Sequence, residues 1–146
     1  MEQAVIDFVQ GRRVAVVGVS RSGNKFGNSA LQELKQRGYQ VYAVHPSAEE
    51  IGGEHCYSCL AELPGQVDGV LVSVPPQKAV QVLREAAAAG IHNVWLQQGC
   101  ESAEALSVSK ELGLNTVSKK CILMYATPVQ GFHRWHRAFN KLIGQL

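Results

Sequence analysis

The stretch VAVVGVSRSGNKFG at residues 14–27 decides the fold class of this chain. Its first part is a run of apolar, mostly β-branched residues, typical of a strand buried on both faces of a parallel sheet. A loop rich in Gly, Ser and Asn follows, with the cations Arg21 and Lys25, and a helical pattern comes next. The first N–H groups of a helix are unsatisfied and carry partial positive charge. Strand, glycine-rich turn and helix start together predict an anion site, so we expect a phosphate-bearing ligand.

The spacing of the glycines argues against a dinucleotide motif. Gly18, Gly23 and Gly27 do not fit the pattern G-x-G-x-x-G. An NAD site also needs an acidic residue at the end of the second strand to hold the ribose. That strand ends in Val44-His45-Pro46, which offers no carboxylate.

A Walker A motif fits poorly as well. Asn24 displaces Lys25 by one residue, and Phe26 stands where a magnesium-binding hydroxyl is required. The alternative to a phosphate loop is a plain tight turn between strand and helix, since glycine-rich turns are common.

Apolar runs alternate with helical patterns along the chain. Helices are predicted at residues 2–9, 28–37, 77–89 and 102–112, and strands at 14–19, 40–44, 69–74, 93–97 and 116–117. Strict alternation with short links indicates a parallel sheet with right-handed crossovers. We predict a single domain, 1–146, of the α/β class, with a doubly wound Rossmann-like parallel sheet of about five strands in the order 3-2-1-4-5 and helices on both faces.

The last 16 residues carry a separate amphipathic pattern. Apolar residues recur at helical spacing along one face, and they are Phe132, Trp135, Phe139, Leu142, Ile143 and Leu146. This pattern favours a C-terminal amphipathic helix that closes one side of the sheet. The alternative is a helix that binds a partner or a membrane surface.

The composition indicates a globular protein with a balanced charge. It is 46% hydrophobic and 18% charged, with a net charge of +2, which is too balanced to indicate nucleic acid as a partner. No apolar run approaches the roughly 20 residues of a membrane span, so no membrane association is expected. The start Met1-Glu2-Gln3 lacks the basic and apolar regions of a secretory signal. We therefore predict a cytoplasmic protein whose four cysteines are reduced.

Candidate binding residues follow the predicted strands, because ligands of doubly wound sheets bind beyond the carboxyl ends of the strands. They are Ser20, Arg21 and Lys25 after the first strand, His45 and Pro46 after the second, Ser73, Val74 and Pro75 after the third, and Gln97 at the end of the fourth. Cationic side chains and backbone N–H groups bind phosphate, and prolines offer a stiff apolar edge to a purine ring. Each of these residues, taken alone, is an ordinary loop residue. The site is predicted because all of them are expected at the same edge of the sheet.

Residues for catalysis or metal binding are sparse. No Asp or Glu stands at the ends of the first four strands, so we predict no catalytic residues. Cys56 and Cys59 form a C-x-x-C motif that leads from a loop into a short helix, and His55 adds only a third local ligand for a metal that usually takes four. We predict a structural role for this motif, no metal site, and a binding module rather than an enzyme.

Several segments together resemble the small stand-alone CoA-binding proteins, relatives of the CoA-binding domain of succinyl-CoA synthetase and other acyl-CoA synthetases. The matching segments are VAVVGVSRSGNKFGN, YAVHP, GVLVSVPP, NVWLQQG and KCILMY followed by FHRWHR. The resemblance implies a Rossmann-like fold that holds the phosphates of coenzyme A. Residues implied to meet the diphosphate are Gly18, Val19, Ser20 and Lys25. Those implied to flank the nucleotide are Ser73, Val74 and Pro75, and Gln97 is implied to reach the pantetheine or the ribose.

The chain departs from that family pattern at the end of the second strand. The synthetases often carry a basic residue after the proline, whereas Ser47, Ala48 and Glu49 follow Pro46 here, which leaves His45 for a phosphate contact. The active-site histidine and the grasp domains of the synthetases have no counterpart in this sequence. The resemblance implies a non-catalytic or regulatory module that binds coenzyme A or an acyl-CoA. The alternative is a nucleotide-dependent enzyme or an NAD(P)-binding redox protein, and the sequence leaves open a homo-oligomer or another protein partner.

Overall fold

The apolar run of the opening motif forms β1, Arg13–Val17, at the centre of a seven-stranded sheet. A computed structural model of the chain describes residues 2–63 and 65–128. The other strands are β2 Gln40–Val44, β3 Glu50–Ile51, β4 Glu54–Tyr57, β5 Gly69–Val72, β6 Asn93–Gln97 and β7 Asn115–Lys120. Their order is β3-β4-β2-β1-β5-β6-β7, and every neighbouring pair is parallel except β3 with β4.

Four α-helices lie in the described part of the chain. They are α1 Gln3–Gln10, α2 Phe26–Gln36, α3 Pro76–Ala88 and α4 Ala103–Glu111, with short 3₁₀ turns at Leu60–Glu62 and Ile122–Met124. These four helices confirm the ones predicted between residues 2 and 112. The predicted C-terminal helix, with Phe132, Trp135 and Phe139, lies outside the described residues and stays a prediction. Among the described helices, none combines the length and the apolar character needed to cross a lipid bilayer.

The predicted fold class is confirmed, but the predicted strand order is wrong. In the numbering of the five predicted strands, the observed order is 2-1-3-4-5, because β5 pairs directly with β1 and not with β2. The register joins Val14 to Gly69 and Val17 to Val72. The sheet also has seven strands where about five were predicted, since two short ones form between residues 50 and 57.

A small hairpin explains both differences. No strand is predicted between residues 44 and 69, but β3 and β4 pair there in antiparallel fashion around Gly52 and Gly53. β4 then pairs with β2, joining Ala43 to Cys56 and Val44 to Tyr57. Because β4 occupies the free edge of β2, the chain must return to the other side of β1. The direction of winding therefore reverses between β1 and β5.

The two faces of the sheet are covered by different helices. Val14 and Val16 of β1 point to the face that α1 and α2 cover, whereas Ala15 points to the face that α3 and α4 cover. This alternation follows from the two-residue period of a strand. Because α2 follows β1 on one face and α3 follows β5 on the other, a crevice opens between the carboxyl ends of these two strands.

Asp68 ties β1 to β5 at the opposite, amino edge of the sheet. Its carboxylate accepts hydrogen bonds from the backbone N–H groups of Arg12 at 3.0 Å and Arg13 at 2.9 Å, and it pairs with the Arg13 guanidinium at 2.8 Å. Hydrogen bonds from the Arg13 side chain, followed by those from the backbone, hold the pKa of the Asp68 carboxyl below its usual range.

We expect Asp68→Asn to destabilise the protein at neutral pH by about 1 kcal/mol, a modest value because the pair is partly exposed to solvent. A carboxyl whose pKa is lower in the folded state stabilises the fold above its unfolded-state pKa of about 4 and loses that effect as pH falls through the folded-state pKa. The deficit of the variant should therefore shrink in acid. Urea denaturation at pH 7 and at about pH 3 checks this, with the exposed Glu111→Gln as control. A deficit that stays constant with pH would contradict the role given to the Asp68 charge.

Candidate functional site

The loops that follow β1 and β5 touch each other where the winding reverses. Gly18 has a φ of +122°, and a Cβ atom at this position would lie 2.0 Å from the carbonyl oxygen of Ser73. A side chain there is therefore excluded, both by the backbone conformation and by space. The contact brings the predicted residues after the first strand next to Ser73, Val74 and Pro75. Ligands of doubly wound sheets bind at such a reversal point.

Two helices start at this contact without side-chain caps. α2 begins after Lys25 and α3 after Pro75, and neither of these residues makes a side-chain capping bond. α4 is different, because Ser102 Oγ accepts a hydrogen bond from the N–H of Ala105 at 3.0 Å. Within the described residues, the backbone N–H groups of Phe26 and Gly27 donate to no acceptor. The crevice thus presents unsatisfied donors to an anion.

The charge around the crevice is positive. Residues 18–28 and 73–78 contain no Asp or Glu, and they contribute Arg21, Lys25 and Lys78, all of which are exposed. Positive side chains and helix starts at one place favour a negatively charged ligand. The electrostatics therefore suit phosphate groups.

Asn28 fixes the shape of the loop after β1. Its Oδ1 accepts hydrogen bonds from the Ser20 N–H at 3.0 Å and the Ser20 hydroxyl at 3.2 Å, and its Nδ2 donates to the Ser20 carbonyl at 2.9 Å. Asn28 is 8% exposed. Asn28 is not among the predicted site residues, although a polar side chain in the first turn of a helix can hydrogen-bond back to the preceding loop. Since Asn28 takes the N–H of Ser20, an anion in this loop must use other donors.

The loop after β2 is joined to the loop after β1 by Arg21. The Nη2 atom of Arg21 donates to the Ser47 carbonyl at 2.8 Å and to the Ser47 hydroxyl at 3.1 Å. His45 Nδ1 accepts hydrogen bonds from the N–H groups of Ser47 at 3.1 Å and Ala48 at 3.0 Å. His45 therefore shapes its own turn through this nitrogen, and Pro46 lies exposed at its tip.

Gln97 lies beneath the carboxyl edge of the sheet. It is only 6% exposed, and its Oε1 accepts a hydrogen bond from the N–H of Ile122 at 3.1 Å. Arg37 holds the same segment by donating to the carbonyl oxygens of Leu123 at 3.0 Å and Ala126 at 2.7 Å. Gln97 thus positions the chain that leaves β7, and its contact with a ligand stays a prediction.

A groove of about 360 Å³ adjoins the loop after β1 on the side of the hairpin. Its lining includes Ser20 and Arg21 from the loop, Gln32 from α2, and Ile51 and Gly52 from the hairpin. None of these last three residues is among the predicted site residues, because Gln32 lies inside a predicted helix and no strand is predicted at Ile51 and Gly52. The signal was present, since Gly52-Gly53 between two short β-type runs is typical of a hairpin turn.

Two of the four cysteines lie in surroundings that disfavour a reactive thiolate. All four are unpaired, and burial raises the pKa of Cys56 and of Cys100, which works against a reactive thiolate. No group of three His, Cys, Asp or Glu side chains within residues 2–63 and 65–128 is arranged to hold a metal ion.

Comparison with known proteins decides the family. A family model described as the CoA binding domain matches residues 12–127, which include every strand of the described sheet and α2, α3 and α4. The chain belongs to the CoA-binding domain family. The crevice between β1 and β5, with its two uncapped helix starts, is thus part of a CoA-binding domain.

Relatives of this CoA-binding domain include both large enzymes and small proteins. The acetate–CoA ligase (ADP-forming) II of Archaeoglobus fulgidus is 30% identical over 120 residues, which are 74% of this chain and 18% of the ligase. The structure of a conserved hypothetical protein from Pyrococcus furiosus is 38% identical with a TM-score of 0.73, covering 77% of this chain and 97% of that chain. The acetyl-coenzyme A synthetase 1 of Candidatus Korarchaeum cryptofilum is 26% identical with a TM-score of 0.64, covering 73% of this chain and 25% of the synthetase. The chain therefore spans a quarter or less of these two enzymes.

Proposed function

We propose that this chain binds coenzyme A or an acyl-CoA in the crevice between the ends of β1 and β5, and that it acts as a non-catalytic binding or regulatory module. The observation that carries the proposal is the meeting of two uncapped, acid-free helix starts in a CoA-binding domain. CoA contains a diphosphate, and a diphosphate is the kind of anion that helix starts and glycine-rich loops hold.

The diphosphate is assigned to the loop after β1. The backbone there is fixed by Asn28, so binding requires little ordering of the chain, which favours affinity. Lys25 stands at the start of α2 and supplies a positive charge beside the free N–H groups of Phe26 and Gly27. A phosphate placed here receives both charge and hydrogen bonds.

The nucleotide is assigned to the neighbouring loop after β5. Ser73 donates its N–H to the Val17 carbonyl at 2.8 Å, which continues the sheet and holds this loop against β1. Pro75 lies exposed at the start of α3 and offers a rigid apolar surface to a base. The nucleotide thus lies across the reversal point, as in other doubly wound sheets.

We also propose that the chain has a non-catalytic role and that it is located in the cytoplasm. His45 directly follows β2, and its Nδ1 already accepts two backbone hydrogen bonds. The unpaired cysteines suit a reducing compartment such as the cytosol. We propose that the chain acts as a single CoA-binding domain.

Lys25→Ala tests the assigned position of the diphosphate. We expect this variant to bind CoA about ten- to a hundredfold more weakly, because a charge-assisted hydrogen bond to phosphate contributes about 1.5–3 kcal/mol. The loss should be smaller at high ionic strength, since salt screens an exposed charge pair. Calorimetric titration of CoA into both proteins, at low and at high salt, measures the effect.

Lys110→Ala is the matched control for Lys25→Ala. Lys110 is exposed in the last turn of α4, so it lies toward the amino edge of the sheet and away from the crevice. Its removal changes the net charge equally and should leave CoA affinity within about twofold. Equal CoA affinity in Lys25→Ala and the wild type at low salt would move the diphosphate away from this helix start.

A further inference from the structure

Arg21 is a cation held between two strand ends with its charge unneutralised. Its backbone belongs to the loop after β1, while its guanidinium reaches the loop after β2 and donates to the carbonyl and hydroxyl oxygens of Ser47 at 2.8 and 3.1 Å. Both acceptors are neutral, and among the described residues no carboxylate pairs with this guanidinium. Arg21 therefore keeps its full charge and is held beside the end of β2. Its Nε and Nη1 atoms carry three further N–H donors for a ligand.

The end of the second strand is where doubly wound folds recognise substituents of a ribose. An acidic residue there binds a ribose hydroxyl, whereas an arginine nearby accommodates a phosphate on the ribose. β2 ends in Val44 and is followed by His45, Pro46 and Ser47, without a carboxylate. The charged group that does reach this position is the guanidinium of Arg21. A positive guanidinium at this position, without a carboxylate, therefore favours a ribose that carries a phosphate.

The space beside Arg21 is large enough for such a group. The groove of about 360 Å³ is lined by Arg21 at one end and by Gln32 and Gly52 toward the hairpin. Gln32 Nε2 donates to the carbonyl of Gly52 at 2.9 Å, which holds the far wall against α2. The exposed hydroxyl of Ser29 adds a further polar group to the lining.

We propose that Arg21, positioned by Ser47, binds the phosphate on the 3′ position of the CoA ribose and makes the site select CoA over 3′-dephospho-CoA. The inference rests on the proposed function, because it assumes that the diphosphate lies on the loop after β1. Lys25 and Arg21 then serve two different phosphate groups of one ligand. Lys25 acts at the start of α2, and Arg21 acts at the end of β2.

The test compares the affinities of CoA and 3′-dephospho-CoA for the wild type, Arg21→Ala and Lys25→Ala. The wild type should bind CoA about tenfold more tightly than 3′-dephospho-CoA, as a charge-assisted phosphate contact predicts. Arg21→Ala should lose this preference by weakening CoA alone, and Lys25→Ala should weaken both ligands by a similar factor. Ser47→Ala, which removes one of the two acceptors that hold Arg21, should reduce the preference partly.

The outcomes separate this inference from the proposed function. Two results would show that Arg21 does not bind the 3′-phosphate, while leaving the proposed CoA binding intact. The first is a wild type that binds CoA no more tightly than 3′-dephospho-CoA. The second is an Arg21→Ala variant that binds both ligands more weakly by the same factor. If the wild type binds neither ligand, the proposed function fails and the inference falls with it. An unchanged melting temperature of Arg21→Ala without ligand shows that the variant is folded, as expected for an exposed side chain.

Discussion

Gly27→Ala should destabilise the protein by about 3 kcal/mol, although alanine is the better helix former by about 1 kcal/mol. Gly27 lies in the first turn of α2, and a Cβ atom there would lie 2.4 Å from the carbonyl oxygen and 2.7 Å from the carbonyl carbon of Gly18. Both contacts are with backbone, which cannot rotate away as a side chain can. Gly18 is itself pressed against Ser73, so the collision cannot be relieved by a shift of the loop toward β5.

Urea denaturation followed by circular dichroism measures this effect. Ser29→Ala is the matched control, because it makes an alanine at an exposed position of the same turn and should change stability by less than about 0.5 kcal/mol. The folded fraction of Gly27→Ala should also bind CoA more weakly, since the helix start and the loop must separate. A Gly27→Ala protein as stable as the wild type would show that α2 does not approach the loop as closely as described.

Trp95→Ala should destabilise the protein by about 3–5 kcal/mol, the usual loss for an aromatic side chain removed from a core. Trp95 in β6 is fully buried, and its ring packs edge-on against Phe8 at 5.4 Å and tilted against Tyr125 at 5.8 Å. Its indole N–H donates to the Lys120 carbonyl at 2.9 Å. One side chain thus joins α1, β6 and the segment after β7.

Trp95→Phe separates the packing from the hydrogen bond. It keeps an aromatic ring and loses only the indole N–H, and the Lys120 carbonyl still accepts from the N–H of Gln98 at 3.2 Å. We therefore expect a loss of about 1–2 kcal/mol for Trp95→Phe, clearly below that of Trp95→Ala. Equal losses in the two variants would mean that the hydrogen bond, and not the ring packing, accounts for the stability.

The apolar runs of the sequence predict the main strands but not the order in which these strands pair. Residues 14–16, 69–72 and 94–97 are buried on both faces, so their composition alone marks them as central strands. Strand order depends on the pairing of β4 with β2, which rests on only two pairs of residues. A strand this short has no periodic pattern, so the Gly52-Gly53 turn is the feature of the sequence that indicates the hairpin. One missed hairpin was therefore enough to misplace β5.

The sequence predicts the loop residues of the candidate site better than the buried polar side chains that support them. Glycines, cations and prolines mark strand ends in a sequence, and the structure brings Gly18 and Ser73 into contact as the fold class requires. The roles of Asn28 and Gln97 are harder to predict, because an amide side chain can either contact a ligand or hydrogen-bond to the backbone. Which of these it does depends on how segments distant in sequence approach, as for Gln97 and Ile122.

Calorimetric titration of the wild-type chain with CoA, NAD⁺ and ATP tests the central claim most directly. We predict that CoA binds with a Kd of about 1–10 μM and that NAD⁺ and ATP bind at least about tenfold more weakly. The crevice offers donors for a diphosphate, and the residues that directly follow β2 offer no acid for the ribose of NAD⁺. Tighter binding of NAD⁺ or ATP than of CoA, or no binding of CoA at all, would contradict the proposal that this crevice is a CoA site.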